Sequence, residues 1–334
     1  MKTGFASQIR KAADLHDVHI DQPLTDLTTA YLQSETEFIA ARWFPIVTVQ
    51  KQSDRYFAFP KQTFFRNRSG LWVPGTAMPQ SKFDVDNTPS YSAQFRAFEY
   101  ADRWDLRDNA DSALNWDRAV AEFTTRVLLL GREIDVVGTY FKAGVWNTNY
   151  TGGVDFPVSG VSKWDDYAGS TPIEDVRAAR MAIKQSTGFT PNTMVMSEMV
   201  YEVLADHPDI KELYKYTQAA VLTPELVARA FRVPTLLIGG SIQITSVEGA
   251  ASETYDWIYG KHCWLGYIAP RPALMTPSAG YIFGYRPSFA TGFDIAQERI
   301  PDRRVKADFV QALTCYDPKV VGTDLGAFFA NAVD

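Results

Sequence analysis

The chain has 334 residues, 46% of them hydrophobic and 22% charged, with a formal net charge of −6. That length supports a large core and two or three substructures, while the negative balance argues against tight binding to a phosphate backbone, which needs a basic face. No apolar run approaches the ~18 residues of a membrane span and residues 1 to 17 lack a signal-peptide core, so neither membrane insertion nor export is expected and the cytosol is the default compartment.

Residues 1 to 45 read as a polar arm, with a short helical candidate from Thr25 to Arg42 that Pro45 ends. Ile46, Val47 and Val49 open a strand, and Arg55 to Phe59 reads as a second β-like run. From Gln62 to Pro89 turn formers and cations mix with Trp72 and few core-forming residues. A connection that long without a core of its own is usually functional or disordered. Tyr91, Ala93, Phe95 and Ala97 alternate with polar residues, so residues 46 to 103 read as an extended β-hairpin with its flanking strands.

Next comes the strongest periodic signal. Trp116, Val120, Phe123, Val127, Leu130, Ile134, Val137 and Phe141 are spaced 4, 3, 4, 3, 4, 3 and 4, an apolar stripe along one helix. About 26 residues at ~1.5 Å rise span roughly 39 Å. Burial of the stripe outweighs the cost of Gly131 and Gly138, so the helix is expected to find a sheet along its length, built partly from residues after 300. Asn115 is the expected cap, Lys142 suits the helix dipole and Gly144 is the expected stop.

After a Gly- and Asn-rich passage the texture becomes α+β. Thr171-Pro172-Ile173-Glu174 reads as a capping box whose helix ends at Gly188. Met194 to Met196 reads as a strand, and Ser197, Pro208 and Thr223-Pro224 open short helices. Strands follow at Thr235 to Ile238 and Ile242 to Thr245, with Gly239-Gly240-Ser241 as a hairpin turn between them. Trp257 to Tyr259, Cys263 to Ile268, Tyr281 to Phe283 and Phe309 to Cys315 are β-like, the last closed by Asp317-Pro318.

Chemistry-bearing patterns are scarce. His16 and His19 lie in the arm without a third ligand, His207 suits a helix cap, and His262 and Cys263 as strand neighbours point to opposite faces, which disfavours a nucleophile pair. Cys263 and Cys315 read as buried thiols. Acidic pairs such as Glu133 with Asp135 and Asp165 with Asp166 read as solvated faces. No phosphate loop, nucleophile elbow, dinucleotide motif or metalloprotease motif occurs, so no catalytic, cofactor or metal residue is assigned.

The order of parts carries a resemblance. Leu24 to Pro45 with Ile46 to Val49, then Asp165, Thr171 to Val176, Thr187 to Ser197, Val200-Tyr201, His207-Pro208 and Leu222 to Leu226 resemble the tailed-bacteriophage major capsid protein family over nearly the whole chain. The resemblance implies an α+β fold with an N-terminal arm (1–45), an extended loop and peripheral strands (46–103), a peripheral spine helix (104–150), an axial domain (151–290) and peripheral return strands (291–334). It implies a non-enzymatic shell protein that self-assembles as hexamers and pentamers into an icosahedral capsid. The shell would enclose double-stranded DNA without sequence-specific contacts, in virions assembled in the host bacterial cytoplasm. Separate scaffolding, portal and decoration proteins are the other partners it suggests. The segment ahead of the loop is shorter than in many relatives, which fits a separate scaffolding protein or a removed leader. Arg66, Arg68, Trp72 and Lys82 are the expected intersubunit residues on the loop, with Lys61 and Lys82 placed where some relatives carry a crosslinking lysine. An encapsulin-like cellular shell shares this fold, and an enzyme of unrelated α+β fold is the reading from another class.

Overall fold

The computed structural model describes residues 33–78, 80, 82–109, 116–215, 223–250, 252–272, 276–285 and 295–334. His16, His19, Asn115 and most of the arm lie outside them. In chain order the elements are α1 (Ala40–Trp43), β1 (Ile46–Val49), β2 (Ser53–Arg55), α2 (Lys61–Phe65), β3 (Ser90–Ser92), β4 (Gln94–Arg103), α3 (Trp104–Asn109) and α4 (Trp116–Tyr140). Then follow β5 (Thr148–Thr151), α5 (Pro172–Thr187), β6 (Thr193–Ser197), α6 (Glu198–Asp206), α7 (Pro208–Tyr214), α8 (Pro224–Ala230), β7 (Thr235–Gly239) and β8 (Ile242–Ile244). The chain closes with β9 (Tyr255–Trp257), β10 (Cys263–Gly266), β11 (Gly280–Tyr285), β12 (Ala296–Asp302), β13 (Ala307–Val320) and β14 (Gly326–Ala330).

These elements form two compact units. The smaller holds the described parts of Phe95–Arg132 and Arg286–Cys315 with residues 33 and 34, and the larger holds Glu35–Gln94, Glu133–Tyr285 and Tyr316–Asp334. Helix α4 contributes its first part to one and its last turns to the other. In the smaller unit β12 pairs antiparallel with the start of β13, from Ala296↔Leu313 to Asp302↔Ala307. In the larger unit β11 lies between β1, parallel to it, and the end of β13, antiparallel to it. The other sheet there has the order β5-β14-β10-β6-β7, and α5, α6 and α8 supply side chains to its core through Ile183, Leu204 and Val227.

This division corrects the boundaries expected from sequence. Strand β11, expected in the axial segment 151–290, pairs with β1 and β13, while β14, expected with the peripheral return strands, lies inside the β5-β14-β10-β6-β7 sheet. Both are short apolar runs, and only the pairing partner distinguishes them. Strand β13 also continues through Asp317-Pro318, because Pro318 faces Ile282 beyond the stretch paired with β12. Gly239-Gly240-Ser241 is no hairpin turn: β7 pairs with β6, and β8 pairs with β9. Its glycines answer to close packing, since a Cβ on Gly239 would lie 2.2 Å from the Tyr259 ring. Gly188 does end α5 in the left-handed region, at φ 78°, and Ser197 Oγ accepts the Val200 N–H at 3.3 Å. The capping box does not form, as Thr171 makes no side-chain cap.

The spine helix forms, yet its buried face differs from the predicted stripe. Val120, Val137 and Phe141 are buried, Trp116, Val127 and Leu130 are half-buried, and Phe123 and Ile134 are 45% and 39% exposed. The buried row instead runs through Val120, Thr124, Leu128, Arg132, Val136 and Tyr140. Steps of four residues advance about 40° around an α-helix of 3.6 residues per turn, so this row winds around the helix and serves different neighbours at its two ends. In the smaller unit Thr124 and Thr125 meet the Gln297 amide at 3.1 and 2.7 Å. In the larger, the Tyr140 hydroxyl donates to Tyr281 O at 2.7 Å and Asp135 accepts from the Tyr316 hydroxyl at 2.9 Å.

Glu133 overturns the solvated-face reading of the acidic pairs. It is fully buried, and its carboxylate accepts the N–H groups of Ile39 and Ala40 at 2.9 and 3.0 Å and the Tyr259 hydroxyl at 2.5 Å. It thus satisfies the start of α1, whose N-cap Ile39 has no side-chain acceptor of its own. Around it Trp43, Phe44, Tyr140, Phe141, Tyr259 and Trp264 pack ring against ring, with centroids 4.1 to 6.4 Å from one another across the cluster. A similar role falls to Asp175, which accepts from Val158 N, Ser159 N, Ser159 Oγ and Trp164 Nε1 at 2.6 to 3.0 Å.

The smaller unit holds an ionic cluster that sequence did not reveal. The Trp104 indole donates to Asp308 at 2.7 Å and the Trp116 indole to the fully buried Asp102 at 2.6 Å. Arg107 pairs with Asp308 at 2.6 Å, and Arg299 reaches Asp117 at 2.8 Å, Asp308 at 3.5 Å and Asp102 at 3.6 Å. Burial pushes the Asp102 carboxyl up, whereas the Trp104 indole and then Arg107 hold Asp308 below the usual carboxylate range.

Two outcomes follow from these contacts. In denaturant unfolding Leu128→Ala should cost about 2–5 kcal/mol and Ile134→Ala under about 1 kcal/mol, the reverse of what the predicted stripe requires. Asp308 adds stability above its unfolded pKa of ~3.9 that is lost as pH falls through its lower folded value. Asp308→Asn should therefore lower stability at neutral pH and make its decline below about pH 4 shallower, as read by melting against pH.

Candidate intersubunit surface

The excursion between β2 and β3 is exposed over most of its length. Its base is firmly built. β2 and β3 pair antiparallel, Tyr91 is buried and stacks on Phe283 with centroids 4.6 Å apart, and Ser92 N donates to Asp317 at 2.8 Å. Beyond the single bridge Ala58↔Asp86 the ladder stops, so the expected second strand through Phe59 is confined to Ser53–Arg55. Further out Phe59 and Phe64 contact Phe83 at 5.8 and 5.9 Å, and α2 is tied back through Lys61 to Asp324.

Apolar side chains along this stretch face outward. Leu71 is fully exposed, and Phe57, Phe65, Val73 and Met78 each expose more than three-fifths of their surface. Single exposed apolar residues are ordinary, but a run of them on one segment marks an interaction surface. Trp72 stands out in the sequence, whereas the phenylalanines are marked only by Phe, Val and Met without a helix or strand period from Phe57 to Val85.

The expected intersubunit residues all lie here, with different local ties. Arg66 is exposed. Arg68 is half-buried, and its Nη1 donates to the Lys82 carbonyl at 3.0 Å, joining the two limbs of the loop. Trp72 is 45% exposed and its indole donates to Thr76 O at 2.8 Å, across the turn containing Gly75 at φ 96°. The Lys82 side chain is exposed, whereas Lys61 is engaged by Asp324.

Among the described residues no group of histidine, cysteine and acidic side chains has a metal-binding arrangement. Cys263 is completely buried and burial pushes its thiol far up, the environment of a structural thiol. No described helix is long and apolar enough to cross a membrane.

Residues 153–252 match the family model described as Phage major capsid protein E. Over 316 residues, 92% of this chain and 94% of the relative, the sequence is 26% identical to the major capsid protein of Burkholderia phage BcepMu. Both likenesses are to phage major capsid proteins. Its fold is shared with a phage-related protein from Bordetella bronchiseptica RB50, with a TM-score of 0.67 at 20% identity, covering 90% of this chain and 94% of that one. The mature capsid of bacteriophage PhiM1 matches at TM-score 0.55 and 13% identity over 94% of this chain and 92% of that one. The capsid fold expected from the resemblance is thus the fold that the chain shares with these solved structures.

The loop base generates a prediction. Tyr91→Ser removes a buried ring from its stack on Phe283, at a cost of about 3 kcal/mol. Limited trypsin digestion of unassembled subunits should then cut faster after Arg66 and Arg68 than in the unaltered chain.

Proposed function

We propose that this chain is the major capsid protein of a tailed phage, assembling through its 56–89 loop into icosahedral shells of hexamers and pentamers around double-stranded DNA. The observation that carries the loop assignment is its run of phenylalanine, leucine, valine and methionine side chains that keep more than half of their surface exposed. Those side chains gain burial only against another surface, and in a self-assembling family that surface is a second copy. The phage relative favours a virion head over a cellular compartment shell. A net charge of −6 suits a wall that encloses DNA without gripping its phosphates, so the genome is held without sequence-specific contacts. Scaffolding, portal and decoration proteins are separate partners in this reading, and assembly takes place in the host cytoplasm.

Arg66, Arg68, Trp72 and Lys82 act across the subunit boundary, Arg68 also bracing the loop through Lys82 O. Arginine and tryptophan are the side chains most enriched at such contacts. A single exposed ion pair contributes about 0.2–1 kcal/mol, yet closed symmetry repeats it in every subunit. Arg66→Glu combined with Arg68→Glu should leave the melting transition of the subunit nearly unchanged while electron microscopy shows no shells, or shells that fall apart as salt is raised. Normal particles from this variant, or an unfolded subunit, would sink the assignment.

A further inference from the structure

Two of the four histidines lie among the described residues, and the fold uses both as hydrogen-bond acceptors. His207 is fully buried at the corner between α6 and α7. Its Nδ1 accepts the N–H of Asp209 at 3.2 Å, capping α7, so that nitrogen carries no proton. The proton sits on Nε2, which donates to Ser170 Oγ at 3.0 Å, and the hydroxyl donates onward to Asp166 O at 2.7 Å. His262 uses the same atom: its Nδ1 accepts the N–H of Asn331 at 2.9 Å. Asn331 is in the left-handed region at φ 48°, at the turn after β14 where Ala332 N donates to Lys261 O at 2.8 Å.

We propose that these two imidazoles form an acid-sensitive latch in the larger unit. A proton arriving at Nδ1 turns each acceptor into a donor and sets N–H against N–H, which releases the α6–α7 corner and the C-terminal turn. Facing His207 are the Asp209 carboxylate, 3.9 Å from Nδ1, and the Tyr167 ring at 5.5 Å, while Asp206 and Lys211 on the two flanking helices pair with each other at 2.8 Å. Burial lowers the pKa of His207, against the opposing pull of Asp209. His262 faces the rings of Phe141 at 6.1 Å and Phe328 at 5.4 Å, with Lys261 beside it in the chain, and burial alone lowers its pKa. A folded pKa below the unfolded ~6.5 means stability that is complete above that pH and is lost as pH falls toward the folded value.

The test is thermal melting of the full chain from about pH 7.5 to about pH 5, where ordinary carboxylates near pKa 4 stay ionised. The unaltered protein is compared with His207→Asn, His262→Asn and the double variant, since an asparagine carbonyl accepts an N–H without titrating. Unfolding of the unaltered chain at the acid end should take up about two protons more than that of the double variant and about one more than that of either single variant, so that the double variant's melting temperature falls less toward pH 5. A double variant that keeps the full acid decline, or an unaltered chain without one, overturns the latch. Should a variant fail to fold, long-range nitrogen–proton NMR of the histidine-labelled unaltered protein decides. Nε2–H imidazoles at His207 and His262 near pH 7.5 support the proposal, and an Nδ1–H tautomer or an imidazolium at either refutes it.

Discussion

One buried carboxylate organises the larger unit. Glu133 is ionisable, fully enclosed and tolerable there only because two backbone N–H groups and the Tyr259 hydroxyl donate to it. Those donors come from segments nearly a hundred residues before it and more than a hundred after it. The carboxylate fixes the start of α1, α1 leads through Pro45 into β1, and β1 pairs with β11, whose Phe283 receives Tyr91 at the loop base. Where the 56–89 loop leaves the body is thus set by a carboxyl group on α4.

The two units are held by different physics. The larger relies on apolar and aromatic packing, with buried carboxylates such as Glu133 and Asp175 satisfying backbone and indole donors. The smaller sets Arg107 and Arg299 among Asp102, Asp117 and Asp308, with two indoles completing the hydrogen bonding. Such a cluster is orientational: it fixes geometry through directional contacts while adding little net stability for each pair. In a shell that must close, fixed geometry within each subunit lets many weak contacts between copies add up.

The loop inverts the usual relation between burial and stability. Within one chain its phenylalanines and valines contribute little, because most of their surface stays in water. They would gain burial only against a second surface. A subunit that keeps this surface apolar therefore also carries a liability to unwanted association, which the firmly paired base and the Arg68 brace limit by holding the loop in a defined shape.

By itself the sequence determined most element types and the order of parts, and it carried the resemblance to capsid proteins. Periodicity located α4, Pro172 and Gly188 bounded α5, the cap at Ser197 and the accepting role of His207 followed from position, and the absence of core-forming residues marked the loop. Tertiary structure alone decided which strand pairs with which, since β11 and β14 are both short apolar runs and pairing is a property of two segments. It also decided which face of α4 is buried. The 4-3 spacing describes a helix with one partner, whereas this helix meets different neighbours along its length, so the buried row follows steps of four and leaves Phe123 and Ile134 outside. Glu133 and Asp102 were illegible for the same reason. A carboxylate is read as solvated until the donors that make its burial tolerable are brought to it, and those donors are remote in sequence.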